Sequence, residues 1–192
     1  MQPMHLMRRT AVSLGGVVVL SLALVGGTIA APSASGAGAS LAQVRQATAE
    51  YHDVSQALAD GYVSMGSCVE APGLGGMGFH YVNPGYASDL AVDALAPEVL
   101  VYAPSGSGLR LVAVEYFVAA LANTESGPAP WFESTPPPLG FFNSAPSVLG
   151  QTFDGPMPGH DSAMPWHYDL HAWIWQANPS GVFQSFNPKV SC

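Results

Sequence analysis

From Gly127 to Pro165 the chain carries nine prolines and several glycines. Proline locks φ and brings no N–H, so neither a long helix nor a central strand fits in this stretch. Regular structure must come from the segments on either side. Trp131, Phe132, Phe141, Phe142 and Phe153 are scattered through it. Aromatic rings on this scale imply an ordered excursion packed on the rest, with one short strand near Ser147–Phe153.

Before the excursion, Leu41, Val44, Tyr51, Leu58 and Tyr62 recur at helical steps, which predicts one amphipathic helix over Leu41–Val63. Ser40 is placed to cap it and Gly61 to end it. Pro72–Gly78 reads as a glycine-rich loop, Phe79–Val82 as a short strand stopped by Asn83-Pro84-Gly85. Glu98–Ala103 and Leu109–Val118 read as strands joined by the turn Pro104–Gly108. After the excursion, His167–Gln176 reads as a strand, Asn178–Gly181 as a turn and Val182–Phe186 as a returning strand. The expected fold is α+β: an N-terminal helix packed on a curled, mostly antiparallel sheet of four to six strands, with a long proline-rich loop.

The N-terminus has a different character. Arg8 and Arg9 precede an uncharged stretch, Ala11–Ala30, whose densest apolar part is Val17–Val25. Small residues follow, and Ala37-Gly38-Ala39 fits a signal-peptidase site, with Thr28-Ile29-Ala30 as a second candidate. A basic start, an apolar middle and a small-residue exit predict a signal peptide over residues 1–39 and a single exported domain over residues 40–192. The paired arginines also permit the twin-arginine route. The expected location is periplasmic or extracellular, with no stable membrane anchor after cleavage.

All 13 acidic residues lie beyond Ala39, where the only basic ones are Arg45, Arg110 and Lys189. So acidic a surface repels nucleic acid and anionic membrane, and neither is an expected partner. Cys68 and Cys192 are the two cysteines, and in an exported chain a lone pair predicts one disulfide. A metal role for them is disfavoured because neither has a cysteine or histidine near it in sequence.

Histidines and carboxylates supply the candidate chemistry. His80 sits in a short aromatic strand, and Glu115 interrupts the apolar run Leu111–Val118. A carboxylate inside such a run is costly to bury unless paired or metal-bound. The densest polar text is Gly159-His160-Asp161 and His167-Tyr168-Asp169-Leu170-His171. If the latter is a strand, His167, Asp169 and His171 share a face, with neighbours two apart separated by about 6.6 Å. One metal then takes Asp169 with one of the two histidines. If it is a helix, as Pro165 and the spacing of Trp166, Leu170, Trp173 and Ile174 allow, His167 and His171 stack one turn apart. The Trp-Ile-Trp run and the turn after it favour the strand.

The resulting candidate set is a divalent first-row metal, zinc or copper foremost, held by His80, Glu115, Asp169 and His171, with His167 and His160 as secondary candidates. A Glu115 carboxyl desolvated beside Asp169 would have a raised pKa. The competing reading is that these groups hydrogen-bond to one another and brace the proline-rich loop. Whether the protein is an enzyme is left open. Trp166, Trp173 and Trp175 could stack on a glycan, although core roles are commoner, and a small-molecule ligand is the other option. The glycine-rich Gly73–Gly78 lacks the lysine and the following helix of a phosphate loop.

Gly78-Phe79-His80-Tyr81-Val82-Asn83-Pro84, His167–Trp175 and the ending Asn187-Pro188-Lys189-Val190-Ser191-Cys192 resemble segments of a group of uncharacterised exported bacterial proteins. The likeness spans most of residues 40–192 and implies export, but no activity, cofactor or catalytic residue.

Overall fold

The computed structural model describes residues 38–192 apart from Asp161. The signal-peptide expectation, the arginine pair and Thr28–Ala30 lie outside those residues. So does Ala37, the first residue of the cleavage motif.

The N-terminal helical region is interrupted. Helix α1 spans Leu41–Thr48, a 3-10 turn spans Ala49–His52, and α2 spans Val54–Ala59. Ser40 caps α1 through a full capping box with Gln43. Asp53 starts α2 by accepting from the Ser55 N–H at 2.9 Å, which is why the single helix read from the periodicity splits at this point. Gly61, at φ +91°, ends the region as expected.

Six strands then form one antiparallel sheet: β1 (Val63–Ala71), β2 (Gly75–Val82), β3 (Val99–Ser105), β4 (Gly108–Ala119), β9 (Asp154–Met157) and β10 (His167–Ala172), in the order β1-β2-β3-β4-β10-β9. A short helix, α3, covers Pro84–Ala87. The excursion contributes two small hairpins, β5 (Leu121–Ala122) with β6 (Ala129–Pro130), and β7 (Ser147–Val148) with β8 (Gln151–Thr152). The expected Ser147–Phe153 strand is therefore a tight hairpin, and β9 follows it to form the sheet edge. The architecture is α+β with a small helical share, and the sheet is curled.

β1 is absent from the sequence reading because it lies at the other edge, and its outer residues, 63–67, are exposed with no alternation to see. The loop expected over Pro72–Gly78 shrinks to a turn, because β2 begins at Gly75. A Cβ at Gly75 would strike the Asn187 carbonyl. The Gly76 N–H donates to Val190 O at 2.8 Å, and the Asn187 N–H to Gly76 O at 3.0 Å. Glycine here permits the C-terminal segment to lie on the strand backbone. The Cys68–Cys192 disulfide pins that segment, as expected.

The return strand over Val182–Phe186 does not form. Its would-be partner leaves the sheet after Ala172: Trp175 and Gln176 N–H both donate to Val112 O, and Ile174 O accepts from Arg45 Nε. With those groups committed, only the Trp173 N–H reaches Val182 O, at 2.9 Å.

The sheet has two unlike faces. On the first, Tyr81, Leu100, Tyr102, Val114, Tyr116 and Leu170 pack beneath the helices and the excursion. The tyrosine hydroxyls donate to loop carbonyls: Tyr102 to Tyr51, Tyr116 to Ala94 and Tyr168 to Asn143. Trp166 and Trp173 are buried. The second face holds Val99, Val101, Ala113 and Phe117, covered in part by Trp173 and Val190.

Candidate metal centre

The alternation of β4 changes phase partway along. Leu109 and Leu111 face the helices, as do Val114, Tyr116 and Val118, and so the odd-even pattern reverses between them. The register slips between the pairs Val101↔Ala113 and Tyr102↔Leu111, leaving Val112 as the extra residue of a bulge. That bulge turns Glu115 away from the main core and onto the second face.

β10 lies antiparallel beside β4, with His171 directly opposite Glu115 and Asp169 opposite Phe117. The segment is a strand, so His167, Asp169 and His171 share the second face. On β2, Phe79 and Tyr81 pack into the main core, and His80 between them therefore projects to the same side as Glu115. It stands opposite Val101, two strands from β4. Long side chains on a curled sheet bridge that gap.

Three donors converge. Glu115 Oε2 lies 3.2 Å from His80 Nε2 and 3.5 Å from His171 Nε2. One ligand atom from each residue is within 4.8 Å of the other two. Donors at about 2.0–2.1 Å from a tetrahedral ion stand about 3.3 Å apart, so two of the three edges already have the required length. Glu115 and His171 are buried. Among the described residues, Glu115 Oε2 and both ring nitrogens of His171 have no hydrogen-bond partner. The 3.2 Å approach of His80 is thus off the line that a ring N–H would need. Buried polar atoms left unsatisfied cost free energy, and Glu115 Oε2 with His171 Nε2 facing it, His80 Nε2 alongside, is the arrangement an ion would satisfy.

Asp169 is not in this trio. Its Oδ2 sits 3.7 Å from His167 Nε2, and the two residues form a separate buried pair beside it. Residues two apart on β10 project side by side, and His171 is the one that reaches across to Glu115. The His167 ring has Nδ1 3.1 Å from Pro165 O, which places the proton on Nδ1 and leaves Nε2 as the lone-pair side when the ring is neutral. His160 comes from the exposed loop, its ring centroid 6.4 Å from that of His80 and 5.8 Å from that of His167. A Cβ on Gly159 would strike the Met164 carbonyl, so glycine there lets the loop fold back and present His160 to the cluster.

The electrostatics differ from the sequence expectation for Glu115. Burial does push its carboxyl up, but the imidazoles of His171 and His80 outweigh burial and hold it down at about 2. For His167, burial pushes the imidazole down, while Asp169 and Glu115 outweigh it and raise the net value above the ordinary one. The cluster is thus a buried carboxylate pair embedded among histidines.

Above the trio the second face opens into a cavity of ≈ 720 Å³. His80, Glu115 and His160 line it, together with Met65 and Val69 of β1, Val82, Val99 and Phe117. His171 is buried and is not among the lining residues. Sequence reading missed the β1 contribution, since Met65 and Val69 carry no signal beyond ordinary apolar residues. Glu98 was also missed: it is buried, and its Oε2 accepts from the Phe117 N–H at 3.2 Å where β3 no longer pairs with β4. Among the described residues, no helix is long and apolar enough to cross a membrane. Comparison with protein-family models, with curated proteins and with solved structures finds no match to this chain.

Proposed function

We propose that this is an exported metal-binding protein whose His80, Glu115 and His171 hold one divalent first-row ion, zinc or copper, with the small-enzyme role open to it. The observation that carries this reading is the convergence of three buried or half-buried donors, two of their separations at tetrahedral spacing, with Glu115 Oε2 and His171 Nε2 unsatisfied. Two imidazoles and a carboxylate suit such ions. Three protein donors leave a four-coordinate ion one open position, which is the pattern of catalytic rather than structural zinc sites. Here His80 and Glu115 line the cavity, so that position would face it. Asp169 and His167 form a buried pair beside the ion, and His160 stands at the mouth. A disulfide favours an oxidising compartment, which together with the N-terminal pattern supports export to the periplasm or beyond.

The His80–Glu115 ion pair favours a second reading, in which the cluster only braces the loop. Elemental analysis of protein purified from its own export route separates them. The expected result is one bound zinc or copper per chain, lost in His171→Ala. Substoichiometric metal that does not rebind would leave the bracing role.

A further inference from the structure

We infer that the cavity over the His80–Glu115–His171 centre binds a small, largely apolar molecule with one anionic oxygen headgroup, of the medium-chain monocarboxylate class. The headgroup takes the open position on the ion, and the chain lies along the apolar wall. This inference rests on the metal reading above.

The cavity is large enough for a ligand of that size: its ≈ 720 Å³ falls in the range of small-molecule sites. Its walls are mostly apolar, with Met65, Val82, Val99, Phe117, Phe132 and Met164 among them. Its ring-nitrogen donors, His80 and His160, stand with Glu115 at one place. Outside that cluster the polar side chains of the lining are Ser67, Ser88 and Asp89, fewer than a sugar or peptide needs along its length. The rim carries exposed apolar side chains, with Met65 42%, Leu90 46% and Phe132 54% accessible. A hydrocarbon chain would cover part of that surface, at a gain proportional to the area removed from water.

Charge selects the headgroup. Among the described residues no lysine or arginine lines the cavity, and the whole chain has a formal charge of −8. An anion entering without metal meets the Glu115 and Asp89 carboxylates and neither of those cations. With Asp169 engaged by His167, a divalent ion held by Glu115 and two neutral imidazoles carries a single positive charge within its ligand set, which one monoanion neutralises. A phosphate monoester or dicarboxylate would leave excess negative charge in an apolar site, where it is costly.

The test uses the protein purified from its own export route, prepared zinc-free and zinc-loaded, with zinc content measured in each. Displacement of the neutral fluorophore N-phenyl-1-naphthylamine reports binding of acetate, hexanoate, decanoate and decanol. Decanoate should displace the probe from zinc-loaded protein roughly ten-fold or more tightly than from zinc-free protein. Decanol should show no zinc dependence, and acetate should not displace the probe. Each methylene between hexanoate and decanoate should tighten binding by up to about four-fold. His171→Ala should lose the zinc dependence while still binding the probe, which shows that the cavity persists. Leu90→Asp at the exposed rim should weaken decanoate several-fold with zinc content unchanged. Zinc retained but decanoate binding equal with and without it, or matched by decanol or acetate, overturns the ligand class and leaves the metal reading standing. Failure to retain zinc overturns both.

Discussion

Glu98 shows what one buried carboxyl costs and what it supplies. Where β3 runs out of partners, the Phe117 N–H would be orphaned, and the Glu98 side chain accepts from it. Burial pushes that carboxyl up to about 8, with Asp89 and Glu115 adding repulsion. A carboxyl raised in this way keeps its proton in the fold after the unfolded chain has lost its own. Stability therefore falls as pH rises from about 4.5 to about 8 and the contribution is fully lost beyond that. Glu98→Gln retains an oxygen for the Phe117 N–H and has nothing to ionise. Urea unfolding at a series of pH values should show a flatter profile for the variant, and above pH 8 a stability gain on the order of 1–3 kcal/mol. A variant that keeps the parental slope would place the titrating group elsewhere.

At the level of elements, the C-terminal segment is the one held by the least regular structure. Among the described residues it has no strand pairing beyond the bridge between Gly76 and Asn187, and the disulfide is its covalent tie. The bridge encloses 124 residues of sequence separation, so in the chain-entropy model it stabilises by about 4–5 kcal/mol less any strain. Replacing both cysteines with serine should lower stability by about 2–5 kcal/mol. Amide exchange should rise first at Gly76, Asn187 and Val190, ahead of β3 and β4. Uniform acceleration across the sheet would mean the bridge stabilises the fold globally and not this segment in particular.

These elements also mark how far the sequence could be read. The central hairpin and the His167 strand were legible because β-prone runs there are bounded by turn residues. The disulfide was legible because the chain offers only two cysteines behind an N-terminus that reads as an export signal. β1 was not legible, since an edge strand with an exposed face has no alternation to detect. The return strand was misread because Arg45 and Val112, distant in sequence, claim the backbone groups it needed. At the site, Glu115 stood out as a charge within an apolar run, and His80 and His171 as histidines in strands. The bulge at Val112, which decides the face Glu115 takes, left no trace in a run that is apolar on both sides of it. Asp169 was grouped with the trio because strand geometry puts it beside His171. Only the cross-strand register, with Phe117 opposite it, separates the two.

On the scale of the whole molecule, the two faces of the sheet do different work. One is filled by aromatic and aliphatic residues under the helices, with tyrosine hydroxyls tied to loop carbonyls. The other is left concave, with unsatisfied polar atoms at its floor. An ion bound there stabilises the folded state alone. At a hundred-fold excess over its dissociation constant it adds about 2.7 kcal/mol, or a rise of roughly 5–10 °C in Tm for a domain of this size. Chelator should remove that rise. His171→Ala should abolish most of it, because one of three donors is gone. Glu115→Gln should also abolish it, and it should lower the apo Tm. The depressed folded value near 2 means that the ionised carboxylate stabilises the apo fold, fully above about 4.5, with the contribution lost as pH falls through about 2. The apo difference between parent and Glu115→Gln should accordingly shrink in acid. A cluster that merely braces the loop predicts another pattern: both variants lower Tm by the same amount with zinc, with copper and with chelator. Thermal melts of the parent and the two variants under those three conditions decide the matter. A parent melt that ignores both metal and chelator would remove the metal from this site.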